Sequence, residues 1–345
     1  MPFSILVLDL HNTLYDEALE YGVAINEAIL ALLDLAKTYG YKLTRETICK
    51  ELSLAHRRLG SDWDEEAWRL LPSFIEMGLE GKDYTKAVGL LVERRQKKSK
   101  ELTISTAYEG ARETISKLKM RGVHVYVITE AAADAATQSI SWLKLAGKVD
   151  GIYCYPSRTS PPPPVGTFIK HFPPTAEGGH LKKPQPLLLA AVALDDAIRI
   201  GKIPSSVKTE DVFDIVHDKS FEIPELPASS SVQNDASSRL TLKKTPYAQI
   251  LERSLQSILY VGDSKFRDGL LARNAGVAFG YAAYGKKEHD SKATLKSLAL
   301  MYAVTGWDKE VLKLTQEASR SETVNRLKPD FMFEQSLSEA MNLFV

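Results

Sequence analysis

Ile5-Leu6-Val7-Leu8-Asp9-Leu10-His11-Asn12-Thr13 stands near the start of this chain, and Ile258-Leu259-Tyr260-Val261-Gly262-Asp263-Ser264-Lys265-Phe266-Arg267-Asp268 stands near its end. Each stretch begins with four apolar residues and then turns acidic. A buried parallel strand reads as such an uninterrupted run. In open α/β sheets, ligands bind just outside the carboxyl ends of the strands. Two strands therefore deliver carboxylates toward one crevice. Mg2+ favours such hard oxygen ligands, shared with substrate phosphate.

Working outward, the segment from Tyr15 to about Leu102 is helical in pattern, with Ala24-Ile25, Ala28-Ile29 and Leu32-Leu33 recurring at helical spacing. Thr44-Arg45-Glu46-Thr47 reads as a helix start. Beyond Tyr108 the pattern alternates. Val123–Ile128 and Gly151–Tyr155 read as strands with helices between them, the signature of a parallel sheet with crossover helices. Val277–Tyr281 and Pro329–Phe333 continue that pattern toward the end. The run Pro161–Pro164, the pair Pro173-Pro174 and the serine-rich stretch Ala228–Arg239 break it, and they read as surface loops. The expected architecture is a doubly wound, Rossmann-like α/β core over 1–14 and 105–345, with a helical domain inserted over 15–104. Insertions into the core are expected at about 156–180, 201–245 and 286–326.

The 345 residues carry 44 Lys+Arg against 44 Asp+Glu. Zero formal charge gives no reason to expect nucleic acid or an anionic membrane surface. The basic run Arg94–Lys100 reads as a solvated helix end. Two cysteines, Cys49 and Cys154, cannot build a disulfide framework, which suits a reducing compartment. Without a signal-peptide pattern or an apolar run near the ~20 residues of a membrane span, a cytoplasmic protein is expected.

The quoted motifs resemble those of the haloacid dehalogenase superfamily, whose members include aspartate-nucleophile phosphatases. The resemblance covers most of the chain. It implies that Asp9 is the nucleophile, attacking phosphorus to form an aspartyl-phosphate. It also implies Mg2+ held by Asp9, Asp263, Asp268 and the backbone carbonyl of His11. Thr129 looks like the family's phosphate-binding hydroxyl, with Thr13 beside the nucleophile. Glu130 follows Thr129 where Asn is common. Lys183, in Lys183-Pro184-Gln185-Pro186, is similar to the lysine that neutralises the phosphoryl group, and Lys244, before Thr245-Pro246, competes with it. The inserted helices look like the family's cap, where Arg57, Arg58, Trp63 and Trp68 are candidates for substrate contact or for core. The implied substrate is a small phosphorylated metabolite, such as a nucleotide or sugar phosphate.

The chain departs from the family pattern at His11, where the family has a second Asp as general acid/base. Three readings stand open. His11 replaces that acid/base, since an imidazole titrates near neutral pH. Alternatively, hydrolysis is slowed and the aspartyl-phosphate lives long. In the third reading the protein is a catalytically weak binding or regulatory descendant. A phosphonate-cleaving branch of the family instead uses a cap lysine, and Lys50 stands near such a position.

Overall fold

The computed structural model describes residues 3–59, 64–157, 162–172, 183, 185–208, 211–212, 216–217, 240–242, 245–287, 292–305 and 328–344. The chain divides into two compact units. One comprises Met1–Tyr15, Tyr108–Lys286 and Glu317–Val345; the other comprises Asp16–Ala107 and Lys287–Gln316.

The first unit is built on a seven-stranded sheet. Its strands are β1 (Ile5–Leu8), β2 (His124–Ala132), β3 (Gly151–Tyr155), β4 (Phe168–His171), β7 (Ile258–Gly262), β8 (Ala278–Ala282) and β9 (Phe331–Phe333). Their order is β4-β3-β2-β1-β7-β8-β9, and every neighbouring pair is parallel. A separate two-residue antiparallel pair, β5 (Val216–His217) with β6 (Thr241–Leu242), lies in the expected 201–245 insertion.

Alternation along β1 explains why its sequence is apolar throughout. Ile5 and Val7 join one core with helix α8 (Leu187–Arg199). Leu6 and Leu8 join the other core, with α6 (Ala111–Met120) and α7 (Ala133–Trp142). A strand covered on both faces has no polar side to show. The chain winds from β1 outward through β2, β3 and β4, then returns to β7 on the other flank of β1 and winds out to β9. The winding thus reverses beside β1, the topological switch point at which open α/β sheets bind ligands.

Two of the stretches expected as insertions hold regular structure. Phe168–His171 lies inside the stretch read as an insertion at 156–180, yet it forms the sheet's edge strand, paired with β3. Four residues between prolines carry little periodic signal, and an edge tolerates neighbouring proline. The helix Lys292–Thr305, read as part of a core insertion at 286–326, belongs to the second unit. Pro161, Pro173, Pro174 and Ala228–Arg239 lie outside the described residues.

The second unit is helical: α1 (Glu17–Thr38), α2 (Arg45–Leu59), α3 (Asp64–Arg69), α4 (Pro72–Glu76), α5 (Gly81–Ser105) and the helix Lys292–Thr305. Asp16 caps α1 by accepting the Leu19 N–H at 2.9 Å. Thr44 does the same for α2, accepting the Thr47 N–H at 3.2 Å. Its core contains Ile25, Ile29, Leu32, Ile48, Leu52, Trp68, Phe74 and Leu91. Gly22 of α1 is required where the helix Lys292–Thr305 passes, because a Cβ there would lie 2.3 Å from the Ser297 Cβ. Among the described residues no helix is long and apolar enough to cross a membrane.

Helix α8 is anchored to the sheet by buried polar bonds. The Tyr126 hydroxyl donates to Asp196 at 2.6 Å, His124 Nδ1 lies 2.6 Å from the same oxygen, and the Arg199 guanidinium donates to it at 3.3 Å. Burial pushes the Asp196 carboxyl up, but the hydrogen bonds and the Arg199 charge outweigh it and hold it below the ordinary value of 3.8. A depressed carboxylate contributes stability above its unfolded pKa and loses it as pH falls through the folded value. Asp196→Asn is therefore expected to cost about 1.5–3 kcal/mol at neutral pH, the value of hydrogen bonds to a charged group. The deficit should begin to shrink only below pH 3.8, as pH falls through the lower folded value. Urea unfolding at pH 7 and pH 3.5 measures both values.

Candidate active site

Register places the site. Leu8 is level with Val127 of β2 and Val261 of β7, so Asp9, Thr129 and Asp263 follow the same edge of three adjacent strands. The Asp9 N–H donates to the Val261 carbonyl at 2.8 Å, carrying the sheet one residue further and fixing the direction in which Asp9 leaves it. Carboxylate oxygens of Asp9, Asp263 and Asp268 all lie within 4.8 Å of one another.

Lys183 lies among them. Its Nζ donates to Asp9 Oδ1 at 2.6 Å and to Asp268 Oδ1 at 2.9 Å. Its side chain is only 2% exposed, so these two ion pairs are shielded from water. Burial alone would discharge the ammonium, but Asp268 and Asp9 outweigh it and hold its pKa well above 10.5. For Asp268, burial pushes up, and the Lys183 charge and hydrogen bond pull the carboxyl below 3.8. For Asp9, burial and the Asp268 charge win over Lys183, and the carboxyl rises. Lys244, the competing lysine, lies outside the described residues.

Asp268, in the first turn of the helix Arg267–Ala275, receives two further bonds: from the Tyr260 hydroxyl at 2.7 Å and from the Ser264 N–H at 3.0 Å. Gly262 is needed for this approach, since a Cβ there would lie 2.4 Å from Asp268 Oδ2. Three carboxylates converging on one point form a hard-oxygen set of the kind Mg2+ takes. Gly262→Ala is expected to push Asp268 aside and, if these carboxylates hold Mg2+, to weaken that binding about 10–100-fold, the usual cost of disturbing a ligand's support. Isothermal titration with MgCl2 reads it, and unchanged affinity would remove Asp268 from the metal site.

Thr129 is fully buried within β2, which runs four residues past the apolar run ending at Ile128. Its Oγ1 accepts the Ala131 N–H at 3.2 Å. Glu130 turns away from the carboxylates: one oxygen accepts the Lys183 N–H at 3.2 Å, and the other pairs with the Arg267 guanidinium. Glu130, which stands where the resembling family commonly has Asn, thus has its charge matched by Arg267. Thr13 is buried, its carbonyl accepting from the Tyr284 hydroxyl at 2.9 Å, and its Oγ1 has no partner among the described residues.

His11 is half-buried, and its ring meets Tyr15 edge to face at 5.6 Å. The turn after it puts Asn12 at φ 55°, and Gly285 packs so tightly on this turn that a Cβ would lie 2.1 Å from the Asn12 carbonyl oxygen. In the helical unit, Trp68 is fully buried and serves as core, while Trp63 lies outside the described residues. Lys50 pairs with Glu46 at 3.0 Å on an exposed helix face, as a solvated lysine does.

No protein-family model matches the chain, and no curated protein matches it. Solved structures do. YfnB of Bacillus subtilis, assigned as a HAD-hydrolase and bound to magnesium, is 13% identical over 99% of each chain, with a TM-score of 0.41. The 2-haloacid dehalogenase of Pseudomonas syringae pv. Tomato is 16% identical, covering 89% of this chain and 100% of that one, with a TM-score of 0.41. A haloacid dehalogenase-like family hydrolase of Streptococcus pneumoniae is 13% identical over 96% and 93%, with a TM-score of 0.34. These three structures all carry haloacid dehalogenase-type names.

Sequence reading did not find Tyr260, Arg267 or the ordering role of Glu130. Tyr260 reads as one more apolar residue of a strand, and only the packed sheet shows its hydroxyl reaching Asp268. Arg267 and Glu130 lie far apart in sequence and meet only in the fold.

Proposed function

We propose that this protein is a Mg2+-dependent phosphomonoester hydrolase of the haloacid dehalogenase type, acting on a small phosphorylated metabolite such as a nucleotide or sugar phosphate. The observation that carries the reading is the convergence of Asp9, Asp263 and Asp268 at the switch point, with Lys183 bridging two of them.

Asp9, Asp263, Asp268 and the His11 carbonyl would hold the metal, which supplies neutralisation of phosphate charge and orientation of the substrate when bound. An Asp9 oxygen attacks phosphorus and the bond to the leaving oxygen breaks, leaving an aspartyl-phosphate. Lys183 stabilises charge on the phosphoryl oxygens, and the Thr129 region binds them. His11 gives a proton to the leaving oxygen, then takes one from the water that attacks the phosphorus of the aspartyl-phosphate. Phosphate leaves and Asp9 is restored. Two free cysteines accord with a reducing, cytoplasmic setting for this activity.

A second reading, a catalytically weak binding or regulatory protein, is favoured by one observation. The His11 ring is packed on Tyr15 as a structural histidine would be. Turnover of p-nitrophenyl phosphate by the wild type and by His11→Asp, each with Mg2+ or EDTA, separates the two. The hydrolase reading expects wild-type turnover that EDTA abolishes. An inert wild type and an active His11→Asp would transfer the assignment to the second reading.

A further inference from the structure

We propose that Glu130 is a positioning residue that clamps Lys183 in the site by holding its main chain. The inference rests on the hydrolase reading for its kinetic consequence, but its structural part stands on geometry alone. Glu130 directly follows Thr129, so it is fixed to the end of β2. One carboxylate oxygen accepts the Lys183 N–H at 3.2 Å, and the other is engaged by the guanidinium of Arg267. Arg267 opens the helix that carries Asp268, and its own N–H donates to the Ser264 hydroxyl at 3.0 Å. A single carboxylate thus joins the segments bearing Thr129, Lys183 and Asp268.

The need for such a clamp follows from the lysine's task. A flexible four-carbon stem sets a point charge poorly unless its base is held. The Nζ must reach two acidic oxygens at 2.6 and 2.9 Å at once, and a shift of the main chain would be passed on to it. A carboxylate is an unexpected residue so close to an anion-binding site. The Arg267 pair removes that objection and leaves an oxygen free to accept the Lys183 N–H. Helix α8, which follows Lys183, is fixed at its far end by Asp195 and Asp196, which accept from Tyr153 and Tyr126 at 2.6 Å each. Glu130 fixes the near end.

The test has two readouts on wild type, Glu130→Ala and Glu130→Gln. The first is the acetylation rate of Lys183 followed by mass spectrometry, with Lys119 as internal reference; Lys119 is held by both oxygens of Asp150 at 2.8 Å. The clamp predicts that Glu130→Ala raises the Lys183 rate at least about tenfold and leaves Lys119 unchanged. Glu130→Gln keeps one acceptor oxygen but sets an NH2 against the other donor, so its rate should fall between wild type and Glu130→Ala. The second readout is kinetics with p-nitrophenyl phosphate. Glu130→Ala should lower kcat about 10–100-fold, as loss of a supporting partner does, with KM little changed. Glu130→Gln should recover only part of that loss. An unchanged Lys183 rate in Glu130→Ala, or a rise that Lys119 shares equally, overturns the clamp. An inert wild type whose Lys183 is nonetheless deprotected by Glu130→Ala sinks the hydrolase reading and leaves the clamp standing.

Discussion

Asp9→Asn should reduce turnover of a phosphate monoester by at least roughly 10⁴-fold, the scale seen when a covalent nucleophile is removed. The amide has the same shape as the carboxylate but cannot attack phosphorus and carries no charge for Mg2+. The fold should survive, because Lys183 keeps its 2.9 Å bond to Asp268 and the Asp9 main chain keeps its bond to Val261. Burial and the neighbouring Asp268 already push the Asp9 carboxyl toward its neutral form, so little folding energy rests on its charge. The measurement is kcat at saturating substrate beside a thermal melt. Residual activity within about tenfold of wild type, with intact structure, would be incompatible with a covalent role for Asp9.

Lys183→Met should be the most destabilising single change at the site. It removes an ammonium from between two buried carboxylates and adds no replacement charge. Breaking a buried pair from one side costs about 3–5 kcal/mol, because the partner remains uncompensated. The pH dependence follows from the directions of the shifts. Lys183 is held above 10.5, so its contribution is complete below that value and is lost only as pH rises through the higher folded one. Asp268 is held below 3.8, so its contribution is present above that value and is lost as pH falls through the lower folded one. The Lys183 and Asp268 contributions are therefore flat from pH 5 to 9, while Asp9, held above 3.8, opposes folding at higher pH and is relieved as pH falls through its raised folded value. In Lys183→Met the carboxylates repel, and protonation of either relieves them, so the deficit should shrink toward pH 5. Urea unfolding in EDTA at pH 5 and pH 7.5 tests both points. A deficit below about 1 kcal/mol at pH 7.5 would mean that the ion pairs seen here are not maintained.

Much of the fold was legible because the main signals are local. Four-residue apolar runs at Ile5–Leu8 and Ile258–Val261 mark strands buried on both faces, and the acids after them mark the sheet's carboxyl edge. The edge strand Phe168–His171 was not legible, since four residues beside prolines carry no period of their own. The helix Lys292–Thr305 falls in the stretch read as an insertion at 286–326 and packs within the second unit, a partner that its local sequence does not name.

The same division runs through the site. Asp9, Thr129, Asp263 and Asp268 announce themselves because each follows an apolar run that reads as a strand, and strand ends converge in any sheet of this class. Sequence alone left Lys183 and Lys244 in competition, since Lys183 stands directly before a proline, Lys244 is separated from one by Thr245, and each leads into helical sequence. Tertiary structure brought Lys183 within 2.6 Å of Asp9 across 174 residues of chain. It also gave Glu130 a guanidinium and a main-chain N–H to satisfy it, and gave Asp268 a tyrosine hydroxyl. The physical reason is range. Apolar periodicity and turn chemistry are written in neighbouring residues, whereas the compensation of a buried charge depends on which groups the folded chain brings within a few ångströms.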